Sequence, residues 1–310
     1  MHRREFNRLL LTLSGAAIMA KVGRAAEATA IPNSLTAVDT HAHIFQRGLK
    51  LAAVRRYVPD YDATLPDFLR QLDAHGSSYG VLVKPSFLGT DNHYLLDALK
   101  SQPRRLRGVI VVEPTISASE LAEFAAAGAV GIRLNLVGAD LPDLRSGPWP
   151  QFLRQLVKLN WLVEVQRDAR DLPQIVAPLL DAGVNIVIDH FGRPDPKLGV
   201  SDPSFRYLLA TARSRRVWFK LSGAYRNGAD GVGEAIAAAA VPLVREAFGV
   251  ERLLWGSDWP HTQFEKVANY AAARAQLDRW ITNPVERTAI LSTTPAALYH
   301  FPPAPPAARG

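Results

Sequence analysis

Residues 37–45 read AVDTHAHIF, an apolar run that carries one acid and ends in two histidines one residue apart. Residues two apart on a strand point to the same side, so His41 and His43 share a face. The stretch predicts a strand whose C-terminal end presents two imidazoles to one point. Working outward, apolar runs of strand length recur: GVLVKPSF (80–87), LRGVIVVEP (106–114), VGIRLNLV (130–137), WLVEVQRD (161–168), VNIVIDHFG (184–192), VWFKLSGAY (217–225) and LLWGSDWP (253–260). Helix-forming stretches separate them, as in SASELAEFAAAGA, where Ser117 stands at a cap position and Gly128 at the stop. About eight such βα units close a barrel, and nearly continuous apolar strands suit a parallel sheet buried on both faces. The expected fold is α/β, a single TIM (β/α)8 barrel. Periodicity leaves an open doubly wound sheet as the alternative, but no glycine-rich phosphate loop follows the first strand, so a nucleotide-binding version has no support.

The 310 residues are 48% hydrophobic and 21% charged, the composition of a globular chain with a sizeable core. The first 30 residues stand apart. Arg3 and Arg4, Phe6, a short apolar run and the small residues of AEATA read as a twin-arginine export signal, with the barrel over 31–301 and a proline-rich, disordered tail over 302–310. The expected location is therefore the periplasm, with no membrane anchor after cleavage. Five basic and two acidic residues in 1–28 would leave with the signal, and the formal charge of +7 would fall to about +4. No basic run is interleaved with aromatics, so nucleic acid is not an expected partner. The absence of cysteine excludes disulfides, thiol catalysis and thiolate metal sites.

Chemistry in such a barrel sits at the C-terminal strand ends. There the sequence places His41, His43, Ser86, Arg133, Asn135, Glu164, Gln166, Asp189, His190, Arg193, Ser222, Tyr225, Arg226, Asp258 and His261. An HxH pair alone is weak, since either ring can simply hydrogen-bond in a core; with His190 and Asp258 on the same rim, a catalytic ring is favoured. Asp258 lies in WGSDWPH, where flanking tryptophans should desolvate it, raise its pKa and suit it to take a proton from water. The competing reading is a cap for a helix beginning after Pro260. Arg133, in the apolar GIRLNL, needs a buried anion, and an internal partner such as Glu164 or Glu113 is the alternative to substrate. Arg193 and Arg226 would complete a receptor for carboxylate or sulfonate groups. Two long connections, 46–65 and 136–149, are candidate lids.

Taken together, DTHAHIF, KPSFLGTDN, GIRLN, DHFGRP, LSGAYR and GSDWPH resemble the amidohydrolase superfamily, specifically the group around 2-pyrone-4,6-dicarboxylate lactonase and sulfomuconolactone hydrolase. The resemblance covers about residues 35–300. It implies a distorted (β/α)8 barrel that hydrolyses a small anionic lactone. It further implies His41, His43, His190 and Asp258 as catalytic residues, with Asp258 activating water, and Ser86, Arg133, Arg193 and Arg226 as substrate-binding residues. Arg133, Asn135 and Gln166 stand where two-metal members have a bridging lysine or glutamate and a histidine, so a two-metal site is not expected. One divalent ion, zinc or manganese, on His41, His43, His190 and Asp258 is one expectation; metal-free catalysis by the same residues is the other. The alternatives are a metal-dependent nonoxidative decarboxylase of an aromatic or muconate-type acid and a non-catalytic periplasmic anion-binding protein. The expected assembly is a monomer or homodimer.

Overall fold

The computed structural model describes residues 37–302, so the expected export signal and nearly all of the expected tail lie outside the described residues. Among the described residues eight strands form one parallel sheet in sequential order: β1 (Ala37–Ala42), β2 (Ser77–Val83), β3 (Leu106–Ile110), β4 (Ala129–Asn135), β5 (Leu162–Gln166), β6 (Asn185–Ile188), β7 (Val217–Leu221) and β8 (Leu253–Trp255). A helix follows each: α1 (Leu65–Ala74), α2 (His93–Ser101), α3 (Ala118–Ala126), α4 (Trp149–Lys158), α5 (Leu172–Asp181), α6 (Pro203–Ala210), α7 (Val232–Phe248) and α8 (Tyr270–Trp280). This is the expected TIM barrel. Four of these helices begin at a side-chain cap: Thr64, Ser117, Asp202 and Asn269. Thr64 and Ser117 each form a capping box, with Asp67 and Glu120 returning the bond. No described helix is long and apolar enough to cross a membrane.

The barrel is distorted where β1 meets β8. The ladder between them is reduced to one parallel bridge, Ala42 with Trp259, and the seam is sewn by the residues of the site. His43 N–H donates to Trp259 O and Asp258 N–H to His41 O, each at 2.8 Å. Below these, Ser257 donates from its backbone and its hydroxyl to the buried Asp39 carboxylate, at 2.9 and 2.6 Å. Gly256 permits this approach: a Cβ there would sit 2.5 Å from His41 Cβ. The helices pack outside through one apolar core, built from residues such as Phe68, Leu99, Leu156, Leu179, Phe205 and Phe219, each essentially inaccessible to solvent.

Candidate active site

The three histidines and Asp258 meet at the C-terminal mouth. The His41 ring lies 4.9 Å from that of His43 and 4.8 Å from that of His190, centroid to centroid. Asp258 Oδ1 is 3.8 Å from His41 Nε2 and 3.7 Å from His43 Nε2. His41 Nε2, His190 Nε2 and Asp258 Oδ1 are buried without a hydrogen-bond partner, so they confront one another across a small common space. The backbone is forced to this end: His190, Phe191, Arg193, Asp258 and His261 all have left-handed φ, between 47° and 65°. Gly223 makes room for the cluster, since a Cβ there would lie 2.8 Å from His190 Nδ1 and 2.9 Å from Asp258 Oδ2.

Hydrogen bonds fix what some of these groups can do. His43 Nδ1 donates to Val83 O at 2.7 Å, because a carbonyl only accepts. Burial first, then the charges of His41 and Arg133, outweigh Asp258 and hold the His43 pKa well below the usual imidazole range. A neutral His43 therefore presents a bare lone pair at Nε2. His190 Nδ1 pairs with Ser222 Oγ at 2.9 Å, and burial likewise keeps this ring neutral against the pull of Asp258 and Asp189. His41 differs. Burial and Lys220 push its pKa down, but Asp189 and Glu164 more than offset them and raise it.

Asp258 corrects the sequence-based expectation of a raised pKa. Burial does push its carboxyl up, but the Arg226 guanidinium, His190, His41 and the hydrogen bond from Arg226 together hold it well below the usual carboxylate range. The flanking tryptophans predicted the desolvation; Arg226, the last residue of LSGAYR after β7 and 32 residues away in sequence, supplies the counter-charge. Oδ2 accepts from Arg226 Nε and, at 2.7 Å, from Tyr225 Oη, whose hydroxyl also lies 3.0 Å from His261 Nδ1. Oδ1 alone faces the histidines. The capping alternative finds no helix to cap, because the next one, α8, starts at Tyr270 with Asn269 as its cap.

Beneath the histidines lies a dry layer of charge that the sequence reading did not assemble. Lys220, within the apolar run of β7, is fully buried; its Nζ donates to Glu164 Oε2 at 2.5 Å and lies 3.1 Å from His41 Nδ1 and 3.3 Å from Asp189 Oδ1. Arg133 Nη2 donates to Gln166 Oε1 at 2.7 Å and to Asp189 Oδ2 at 3.1 Å. Two cations thus face two carboxylates. A lone lysine in VWFKL was the available signal, since a strand buried on both faces tolerates a charge only where partners wait.

The structure brings Ser86, Arg133 and Arg226 to the same mouth as His43, His190 and Asp258, together with Arg56 and Tyr57 from the β1–α1 connection, which the sequence reading had marked only as a lid. The space they enclose is about 10 Å³. Arg193 sits beside it. Its Nε donates to Asp168 Oδ1 at 3.0 Å and its Nη1 to Arg226 O at 3.1 Å, and with Arg226 it lines an outer cavity of about 340 Å³ that also holds Asp168, Arg170 and Asp202. The three arginines expected to receive substrate each already have an internal carboxylate: Asp189 for Arg133, Asp168 for Arg193 and Asp258 for Arg226.

The donors also fit one divalent cation. His41, His43 and Asp258 form one possible ligand set, and His41, Asp189 and His190 another, with the ligating atoms of each set within 4.8 Å of one another. Neutral imidazole nitrogens and a carboxylate oxygen, buried and unpartnered, are the chemistry that zinc or manganese takes.

A parallel barrel whose strand ends gather three histidines and an aspartate has the makings of a barrel enzyme, and comparison makes the membership specific. The sequence profile of the amidohydrolase family matches residues 38–301, and the chain belongs to that family. It is 34% identical over 236 residues to a 2-pyrone-4,6-dicarboxylate hydrolase of Comamonas testosteroni, covering 73% of this chain and 77% of that one. It is 32% identical over 242 residues to a 4-sulfomuconolactone hydrolase of Rhizobium radiobacter, covering 76% and 78%. A Pseudomonas putida structure assigned as a 2-pyrone-4,6-dicarboxylic acid hydrolase superposes with a TM-score of 0.81 at 47% identity, over 86% of this chain and 98% of that one.

Proposed function

We propose that this enzyme opens a small anionic lactone by hydrolysis, a substrate of the 2-pyrone dicarboxylate or sulfomuconolactone type. The family and the activities of its relatives support the reaction class. One observation in this chain carries it furthest: the two oxygens of Asp258 are divided, Oδ2 anchored by Tyr225 and Arg226 and Oδ1 left bare toward the histidines. An anchored, ionised carboxylate with one free oxygen is placed to accept a proton from water.

In this reading the water oxygen bonds to the lactone carbonyl carbon, the ring C–O bond breaks, and the proton taken at Asp258 Oδ1 passes to the leaving oxygen. His41, the histidine whose pKa is raised, donates from Nε2 to the developing oxyanion; a neutral His43 can only accept there. Ser86, Arg133, Arg193 and Arg226 orient the anionic groups, which places the carbonyl before the reaction begins. The low pKa of Asp258 keeps it ionised at neutral pH but makes it a weak base. A zinc or manganese ion held by His41, His43, His190 and Asp258 would supply Lewis-acid activation of both water and carbonyl.

The test is ring opening of 2-pyrone-4,6-dicarboxylate and 4-sulfomuconolactone by the purified protein, followed by absorbance, with elemental analysis and a chelator arm. At least one lactone should be opened, and Asp258→Asn should lower kcat by about 10²- to 10⁴-fold with the fold intact. Release of CO2 from an aromatic or muconate-type acid without lactone opening would make the protein the decarboxylase; binding without turnover would make it the anion-binding protein.

A further inference from the structure

The connection between β1 and α1 is pinned at its base and lightly held at its tip. Phe45 and Ala63 exchange backbone hydrogen bonds of 2.8 and 2.9 Å, and Arg47 grips Asp62 through its backbone and guanidinium. Towards the tip, Ala52 N–H donates to Phe87 O at 2.8 Å and Tyr57 Oη lies 3.3 Å from Thr262 Oγ1. Val54 is 93% exposed and Val58 48%, while Tyr57 packs the tip onto the barrel 5.5 Å from the Phe87 ring. A segment with few buried contacts opens at low cost.

Arg56 sits on this tip and turns toward the mouth, lining it beside Arg133, Arg226, Asp258 and His190. Burial works against its charge, Tyr57 favours it, and the charges of Arg133, Arg193 and Arg226 act against it. Those three each have a carboxylate within the protein. Arg56 has no hydrogen bond or ion pair among the described residues; its guanidinium rests over the Tyr57 ring at 5.6 Å. Arg56 thus stands at a mouth whose other guanidiniums are already neutralised, with its own charge unmet. The space left at this mouth is about 10 Å³ with the tip in this position.

We propose that Arg56 is an electrostatic latch: it binds the distal anionic group of a doubly charged substrate, and this contact closes the β1–α1 loop over the site. The inference rests on the lactonase reading for its substrate class, and on the geometry alone for its closure. Without a polyanion, Arg56 has no carboxylate among the described residues to hold the tip over the mouth. A second carboxylate or sulfonate supplies that partner, so the charge number of the ligand, rather than its ring, drives closure. Substrates with one anionic group would be oriented by the paired arginines but would leave the latch open.

Two readouts decide it. In kinetics, Arg56→Ala should raise KM for a doubly anionic lactone about tenfold while moving KM for its monoanionic ester by less than about threefold, and Arg56→Lys should recover most of the loss through charge alone. Equal effects on both lactones, or none on either, would overturn the latch. In limited proteolysis, citrate used as a tricarboxylate probe should protect the wild-type loop from tryptic cleavage after Arg55, less so at high salt, and should not protect Arg56→Ala. Cleavage unaffected by citrate in the wild type would overturn closure. If the wild type opens no lactone, the functional reading fails by itself, and the citrate arm still decides on Arg56.

Discussion

The floor of the site and its rim use the same residue types to opposite ends. In the floor, Lys220 and Arg133 are matched by Glu164 and Asp189, all dry and all within hydrogen-bonding or ion-pair distance. On the rim, Arg56 projects from its loop with no carboxylate partner among the described residues. Burial alone would push the Asp189 carboxyl up, but Lys220, His41 and Arg133 hold it well below the usual range, so this carboxylate stays ionised among them. A closed set of charges fixes geometry; an open one recognises a ligand. The difference separates positioning of the histidines from selection of the substrate.

The floor can be broken most directly at Lys220. Lys220→Met removes one of two cations and leaves a carboxylate uncompensated in a fully buried site, which should cost about 3–5 kcal/mol of stability. Thermal or denaturant unfolding measures it. A Lys220→Met, Glu164→Gln pair, which removes one charge of each sign, should recover a large part of the loss. If the single variant unfolds like the wild type, the layer is not the closed set its distances describe.

Much of this was legible in the chain, and the reasons for the rest are physical. The eight apolar runs and the strand-end polar residues placed the barrel and its ring, because strand alternation and apolar length are local properties. The partners of Arg133 were half legible: Glu164 lies at 3.9 Å, but the closer acceptors are Asp189 and Gln166, from neighbouring strands. The sign of the Asp258 shift was not, since it depends on Arg226 being folded against it from another strand end. Arg56 escaped for a related reason. Nothing in YDA or VRRYVP says which way a loop side chain turns, and only its lack of a carboxylate partner in three dimensions distinguishes it from a solvated arginine.

A second buried lysine sharpens the contrast with the floor. Lys84, 1% exposed at the end of β2, donates to the backbone carbonyl of Asp91 rather than to paired carboxylates. Burial lowers its pKa from 10.5 to about 8, against a weaker pull from Asp91. Because the folded value lies below the unfolded one, the unfolded chain binds more protons between them, and stability should rise as pH increases from about 8 to about 10.5. The gain attributable to this group is at most about 3 kcal/mol, and Lys84→Met should abolish it. Unfolding curves of both proteins across that range provide the check; parallel pH profiles would mean that Lys84 is solvated more than its burial indicates.

The smallest expected effect lies where floor and rim meet, at Asp258. Tyr225 and Arg226 share its Oδ2, so losing one donor should leave the carboxylate ionised but free to rotate about its remaining anchor. Tyr225→Phe keeps the ring, which packs 4.9 Å from Phe264, and removes only the hydroxyl. The lost hydrogen bond to a charged acceptor corresponds to about 1.5–3 kcal/mol, but the surviving Arg226 contact should hold the loss of kcat near tenfold. KM and the unfolding midpoint should stay close to the wild type, because the ring keeps its packing against Phe264 and Arg226 keeps its contact with Oδ2. A fall in stability with kcat unchanged would assign Tyr225 to packing instead, and would leave Arg226 as the sole anchor of the proposed base.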